Sequence, residues 1–228
     1  MVARLGVPLA PVIPVRLCPL PGRLYTVLMG YKESPVDEAR RRFAPVVSGV
    51  LASFLGDHAP CVAAAAGGPI DCVLAAPSTA RPDGPPLAAL AGLGDAARAA
   101  FDGARWTPRL LQRVAGTSIG HMRPDAAAFA PAPGTPRAAL RGARAVLLDD
   151  TYVSGARAQS AAAALRRAGV RAVVIVPVGR VLRPDRSAAH AAFLEAHRAP
   201  RGGDGADKLD GDTRCARCVR AQTPASTE

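Results

Sequence analysis

The stretch Ala143-Arg144-Ala145-Val146-Leu147-Leu148-Asp149-Asp150-Thr151-Tyr152-Val153-Ser154-Gly155 decides how this chain is read. The near-continuous apolar run over 143–148 predicts a strand buried on both faces, with the acid pair Asp149-Asp150 at its carboxyl end. Thr151 to Gly155 reads as a tight loop. Ala156 to Ala168 then reads as a helix ended by Gly169, and Val170 to Val178 as a second strand. A strand, short loop, helix and strand in that order make a βαβ unit, which implies a parallel sheet.

Working outward, Leu24 to Met29 reads as a short strand stopped by Gly30. A helix is expected after Ser34-Pro35, carried by Phe43, Val46, Val47, Val50, Leu51 and Leu55, with Pro45 early enough to kink it. Gly67-Gly68-Pro69 marks a turn, and Ile70 to Ala76 reads as a buried strand stopped by Pro77. Pro86 to Phe101 is helical in composition, Arg109 to Val114 suggests a short strand, and Ser187 to His197 suggests a last helix. The expected fold class is therefore α/β, a mostly parallel sheet flanked by helices with a small N-terminal cap. Residues 1–30 are read as the cap, 31–184 as the α/β domain, and 185–228 as a short helix with a flexible tail.

Composition narrows the class further. The 228 residues include 27 arginines but only two lysines, Lys32 and Lys208, and the formal net charge is +11. With 49% hydrophobic residues, global disorder is excluded, although aromatics make up only 4% and alanine carries much of the apolar share. No uncharged apolar run approaches the roughly 18 residues that cross a bilayer. Pro8, Pro11, Pro14 and Arg16 break the apolar N-terminus, so a signal peptide is a poor reading. A soluble, cytoplasmic protein with no membrane partner is expected. The arginines are spread along the chain rather than gathered into an arm, so the charge alone does not separate nucleic acid from small phosphorylated ligands.

The loop after the acid pair favours the small ligand. In open parallel sheets ligands bind beyond the carboxyl ends of strands, and the amino end of a helix attracts phosphate. Gly155 lets the backbone come close, Ser154 adds a hydroxyl, and Asp149 and Asp150 can accept hydrogen bonds from sugar hydroxyls. A sugar phosphate satisfies both halves. A surface Asp-Asp turn at the head of an ordinary helix fits the same residues equally well.

Val146 to Ala156 resembles the phosphoribosyl-pyrophosphate (PRPP) motif of type I phosphoribosyltransferases, in which hydrophobic residues lead into two acids and a Thr/Ser/Gly loop. The order of weaker segments is similar to the ComF-like (competence protein F, amidophosphoribosyltransferase-like) branch. These are Gly30-Tyr31-Lys32-Glu33, Asp71 to Arg81 with Ala76-Pro77-Ser78-Thr79, and Leu111 to Arg123. The resemblance runs from about Leu24 to Pro184. It implies a transferase that displaces pyrophosphate from ribose C1 of PRPP by an unidentified, usually nitrogen, nucleophile. Asp149 and Asp150 would be the catalytic acids that hold the ribose hydroxyls. Val153, Ser154, Gly155, Ala156 and Arg157 would wrap the 5′-phosphate. Ser78 and Thr79 would lie near the diphosphate with Arg81 as counter-charge, and Mg²⁺ would be bound through that diphosphate. Val153 stands where the family has threonine, and Arg157 where a small hydroxyl residue is common. The alternative is a PRPP-sensing or DNA-uptake accessory protein without turnover, for which single-stranded DNA or competence proteins are the partners; a homo-oligomer is compatible with either.

Cys215-Ala216-Arg217-Cys218 has the spacing of half a zinc site, which Cys18, His190 or His197 would have to complete in the folded chain; a reduced or adventitiously oxidised pair is the better reading, so no ordered zinc is expected there. Cys61 and Cys72 sit in apolar surroundings and read as buried small hydrophobes. Lys32, Trp106 and His121 read as packing or surface residues, and Arg109, Arg113 and Arg123 as weak candidates for phosphate contact.

Overall fold

A computed structural model describes residues 2–78 and 84–197. Thr79, Arg81, Cys215 and Cys218, together with the expected tail, lie outside the described residues.

The core is a five-stranded sheet in the order β1-β7-β6-β2-β3, built from β1 (Arg16–Pro19), β2 (Cys72–Ala75), β3 (Arg105–Trp106), β6 (Arg144–Tyr152) and β7 (Ala172–Leu182). Each of its four pairings is parallel. A separate antiparallel pair joins β4 (Leu111–Arg113) to β5 (Phe129–Pro131). The helices are α1 (Val2–Leu5), α2 (Arg23–Glu33), α3 (Asp37–Ala66), α4 (Leu93–Ala100), α5 (Ala156–Arg167) and α6 (Ala188–Ala196).

Alternation along the strands sorts the core into two layers. Val73, Ala75, Val146, Leu148, Val174 and Val176 face the side covered by α2, α3 and α4. Leu74, Ala145, Leu147, Val173 and Ile175 face α5 and the β4–β5 pair. Helix α5 lies deeply buried, and its run of alanines brings its backbone close to the sheet while costing little side-chain entropy. Its one long polar side chain in the middle, Gln159, is fully used: it donates to Ala10 O at 3.0 Å and accepts from Ala10 N at 2.9 Å. That exchange pins the N-terminal segment beside the sheet.

The α/β class is as expected, whereas several elements differ from the sequence reading. Leu24 to Met29 is helical, not extended, because Leu24, Val27, Leu28 and Tyr31 recur at helical spacing and are the buried face of α2. Part of the segment read as a cap supplies the edge strand β1, which tolerates the surrounding prolines because an edge needs donors on one side only. Strand β6 continues past Leu148 to Tyr152, since the long β7 still offers partners: Asp149 lies opposite Pro177 and Tyr152 opposite Arg180. The connection to α5 therefore shrinks to Val153–Gly155. Helix α3 spans 30 residues with Pro45 and Pro60 inside it. It is long and apolar enough to cross a membrane, yet Val47, Leu51, Phe54, Leu55 and Val62 are buried in the core.

Candidate functional site

The sheet order creates a crevice. From β2 the chain goes to β3 on one side, then returns as β6 on the other, so the carboxyl ends of β2 and β6 diverge into loops that leave in different directions. Such switch points are where open parallel sheets bind ligands. Ala76 N donates to Leu148 O at 2.7 Å, so the segment carrying Ser78 leaves the sheet beside Asp149.

At this edge a cavity of about 390 Å³ opens, a volume within the range of small-molecule sites. Asp149, Thr151 and Val153 to Arg157 line it from β6 and α5. Tyr25, Met29, Lys32 and Glu33 reach it from α2, and Ile119, Gly120 and His121 from the connection between β4 and β5. That connection is tied to α5 by Asp125 N, which donates to Ser160 Oγ at 2.8 Å. Of the residues read from sequence, the structure thus brings Asp149 and the whole 153–157 segment to one cavity. Asp150 lies directly behind, sharing Arg157 with Asp149. Ser78 is placed at the adjoining strand end but is not part of the cavity wall, and neither are Arg109, Arg113 and Arg123.

Gly155 is what allows the loop to turn. Its φ of +76° is left-handed, and a Cβ there would run into the Tyr152 phenol. The glycine also leaves the head of α5 without a side-chain cap; Ala156 N reaches only Ser154 Oγ, at 3.4 Å. The amino end of the helix dipole faces the cavity. Thr151 adds a further donor: the residue is 8% exposed and its Oγ1 is buried with no hydrogen-bond partner. A buried hydroxyl left unpaired at a cavity wall invites a ligand acceptor.

Electrostatically the centre is a group of four charges. Arg157 Nη2 donates to Asp149 Oδ1 at 2.7 Å and to Asp150 Oδ1 at 3.2 Å. Lys32 Nζ donates to the same Asp150 oxygen at 2.9 Å. Burial pushes the Asp149 carboxyl above its ordinary range, with Arg157 pulling it back down and Asp150 adding to the rise. The Arg157 guanidinium is held still more firmly protonated, first by Asp149, against the cost of its own burial. The acids sit on opposite faces of one strand, so a single arginine on α5 and a single lysine on α2 clamp them from the two sides.

Lys32 is the functional candidate that sequence reasoning passed over as a surface residue. Its signal was present in the helical spacing of α2, which puts Lys32 next to the buried Tyr31 and Leu28 turn. Elsewhere Cys72 is buried in β2 and its thiol is pushed up to about 11 by burial, so it is a packing residue and not a nucleophile. Among the described residues no group of three or more His, Cys, Asp or Glu side chains could hold a metal ion. The acid pair is already charge-balanced by Arg157 and Lys32, so these residues do not fit a divalent ion held by the protein itself. No protein-family model matches the chain, and no curated protein or solved structure is significantly similar to it.

Proposed function

We propose that the protein is a phosphoribosyltransferase that binds PRPP at the β6–α5 edge and transfers the phosphoribosyl group to a nitrogen nucleophile, releasing pyrophosphate. The observation that carries this reading is the placement of Asp149 and an uncapped helix head on one cavity at the switch point of a parallel sheet, with Asp150 directly behind. The 5′-phosphate would lie on the backbone amides at the head of α5, with Thr151 Oγ1 and Ser154 Oγ within the same wall. Ribose hydroxyls would donate to Asp149 and Asp150, whose carboxylates have lone pairs beyond those that Arg157 and Lys32 use. The C1–O bond to pyrophosphate breaks with its electron pair leaving on the pyrophosphate, and the nucleophile's lone pair forms the new C1–N bond. The proton the nitrogen sheds goes to the substrate itself, because Asp150 lies behind the cavity wall in the hold of Lys32 and Arg157. Mg²⁺ belongs to the substrate, entering on the diphosphate.

A second reading follows from Arg157. By clamping both acids it fits a protein that binds PRPP and does not turn it over, a sensing or accessory role. Calorimetric titration with Mg²⁺–PRPP, followed by assay of pyrophosphate release against a panel of amines, separates the two. Binding with release supports transfer, binding without release on any amine supports sensing, and no binding removes both.

A further inference from the structure

Two carboxylates in a sugar-phosphate site need counter-charge, which a divalent cation or basic side chains can supply. Here the side chains do so. Arg157 bridges both acids, and Lys32 pairs with Asp150. The side chains of Asp149 and Asp150 are 4% and 6% exposed, so solvent screens this cluster little. A divalent cation approaching the pair would meet two half-buried positive charges at hydrogen-bonding range from the same oxygens.

The unsatisfied atoms point the same way. Arg157 Nε is buried without a hydrogen-bond partner, as is Thr151 Oγ1, and both residues line the cavity. Nε–H can only donate. A cavity wall with an unpaired guanidinium donor, an unpaired hydroxyl and an uncapped helix head asks for an acceptor-rich anion, not for a cation.

We infer that the site takes the sugar-phosphate half of its ligand without a divalent cation, and that Arg157 is the specificity-determining residue that stands in the metal's place. This rests on the reading that the ligand is a phosphorylated pentose. Arg157 then has two tasks: Nη2 balances the acid pair, and Nε is left to meet a phosphate oxygen.

The probe is ribose 5-phosphate, titrated calorimetrically into the full chain with EDTA or with Mg²⁺. Equal affinity in the two buffers is expected. Arg157→Thr should lose about tenfold or more in EDTA, the scale of a hydrogen bond to a charged group. The same variant, with its acid pair unbalanced, should take up Mn²⁺ as seen by electron paramagnetic resonance, whereas the unaltered protein should not. Arg157→Lys keeps the charge but not the Nε donor; it should fold and bind ribose 5-phosphate with an intermediate loss, which decides the matter if Arg157→Thr does not fold. Affinity of the unaltered protein that rises about tenfold on adding Mg²⁺ overturns the inference while leaving the ligand class intact. So does an Arg157→Thr protein that binds as before in EDTA. Failure of both ribose 5-phosphate and PRPP to bind in any buffer overturns the ligand class as well.

Discussion

Two neighbouring parallel strands each hand the chain to a helix, and the two turns end differently. Beyond β7 the chain passes through Arg183–Arg186 to α6, where Ser187 Oγ accepts from His190 N at 3.3 Å. Among the described residues the turn makes one ion pair, Arg186 with Asp185, exposed and at 3.6 Å. Beyond β6 the chain passes through Val153–Gly155 to α5, whose cap is a left-handed glycine that supplies no side chain. Behind that turn sit four clamped charges and an unpaired threonine hydroxyl. One helix start satisfies itself. The other leaves its donors facing a cavity, and only the second has the chemistry of a ligand site.

The largest effect should come from emptying the acid pair. Asp149→Asn/Asp150→Asn takes both carboxylates away from the largely buried Arg157 guanidinium, which should cost about 3–5 kcal/mol in denaturant unfolding. Binding of ribose 5-phosphate and PRPP should be lost in the same protein. If the variant unfolds like the parent, the four charges do not act as a unit and the contrast with the exposed Asp185–Arg186 pair falls.

Next comes the turn itself. Gly155→Ala must hold alanine at φ +76° and move the Tyr152 phenol, which Gln159 Nε2 approaches at 3.5 Å. A loss of about 1–3 kcal/mol is expected, with weaker phosphate binding, because the shifted loop misaligns the amides at the head of α5. Unchanged affinity for ribose 5-phosphate would show that the glycine serves folding alone.

How much of this contrast was legible beforehand differs along the chain. The β6–α5–β7 unit stands out because its strands are buried on both faces and read as continuous apolar runs, with glycines punctuating the ends. The same logic failed at Leu24 to Met29, where β-branched and aromatic residues suggested a strand while Leu24, Val27, Leu28 and Tyr31 carried the helical period. Gly30 fits the helix for a reason no local rule reveals: a Cβ there would sit 2.5 Å from the Phe43 ring, so α2 can lie on α3 only at a glycine. Strand β1 was hidden because its partner, β7, comes more than 150 residues later in the chain. The acid pair was legible as chemistry, but its clamp was not. Arg157 was assigned to the phosphate loop and Lys32 to the surface, and only the fold shows that both point back at the carboxylates.

The pH dependence sharpens the electrostatic half of the comparison. Asp149 has its carboxyl raised from the ordinary 3.8, chiefly by burial. Between 3.8 and the raised value the folded protein keeps a proton that the unfolded chain has released, so stability falls as pH climbs through that window. Asp149→Asn removes this titration. Measured by urea unfolding at stepped pH, the stability difference between variant and parent should move in the variant's favour as pH rises through the window. A difference that stays flat would mean that Arg157 fully offsets the burial of the carboxylate.

The smallest effect belongs to the turn that closes itself. Ser187→Ala removes the cap of α6 and should cost about 1 kcal/mol, the usual price of a lost serine cap. The helix buries none of its residues fully, and it is held to the end of β7 by Arg180, which lies 4.2 Å from the Phe193 ring centroid, and by Arg183 N, which donates to His190 Nδ1 at 3.1 Å. Ribose 5-phosphate affinity should not move, because no α6 residue lines the cavity. Thermal melting and calorimetry on the same sample check both halves. A cap loss that weakened binding would mean that the two helix starts are coupled through β7, and that the uncapped head of α5 is held in place by the capped head of α6.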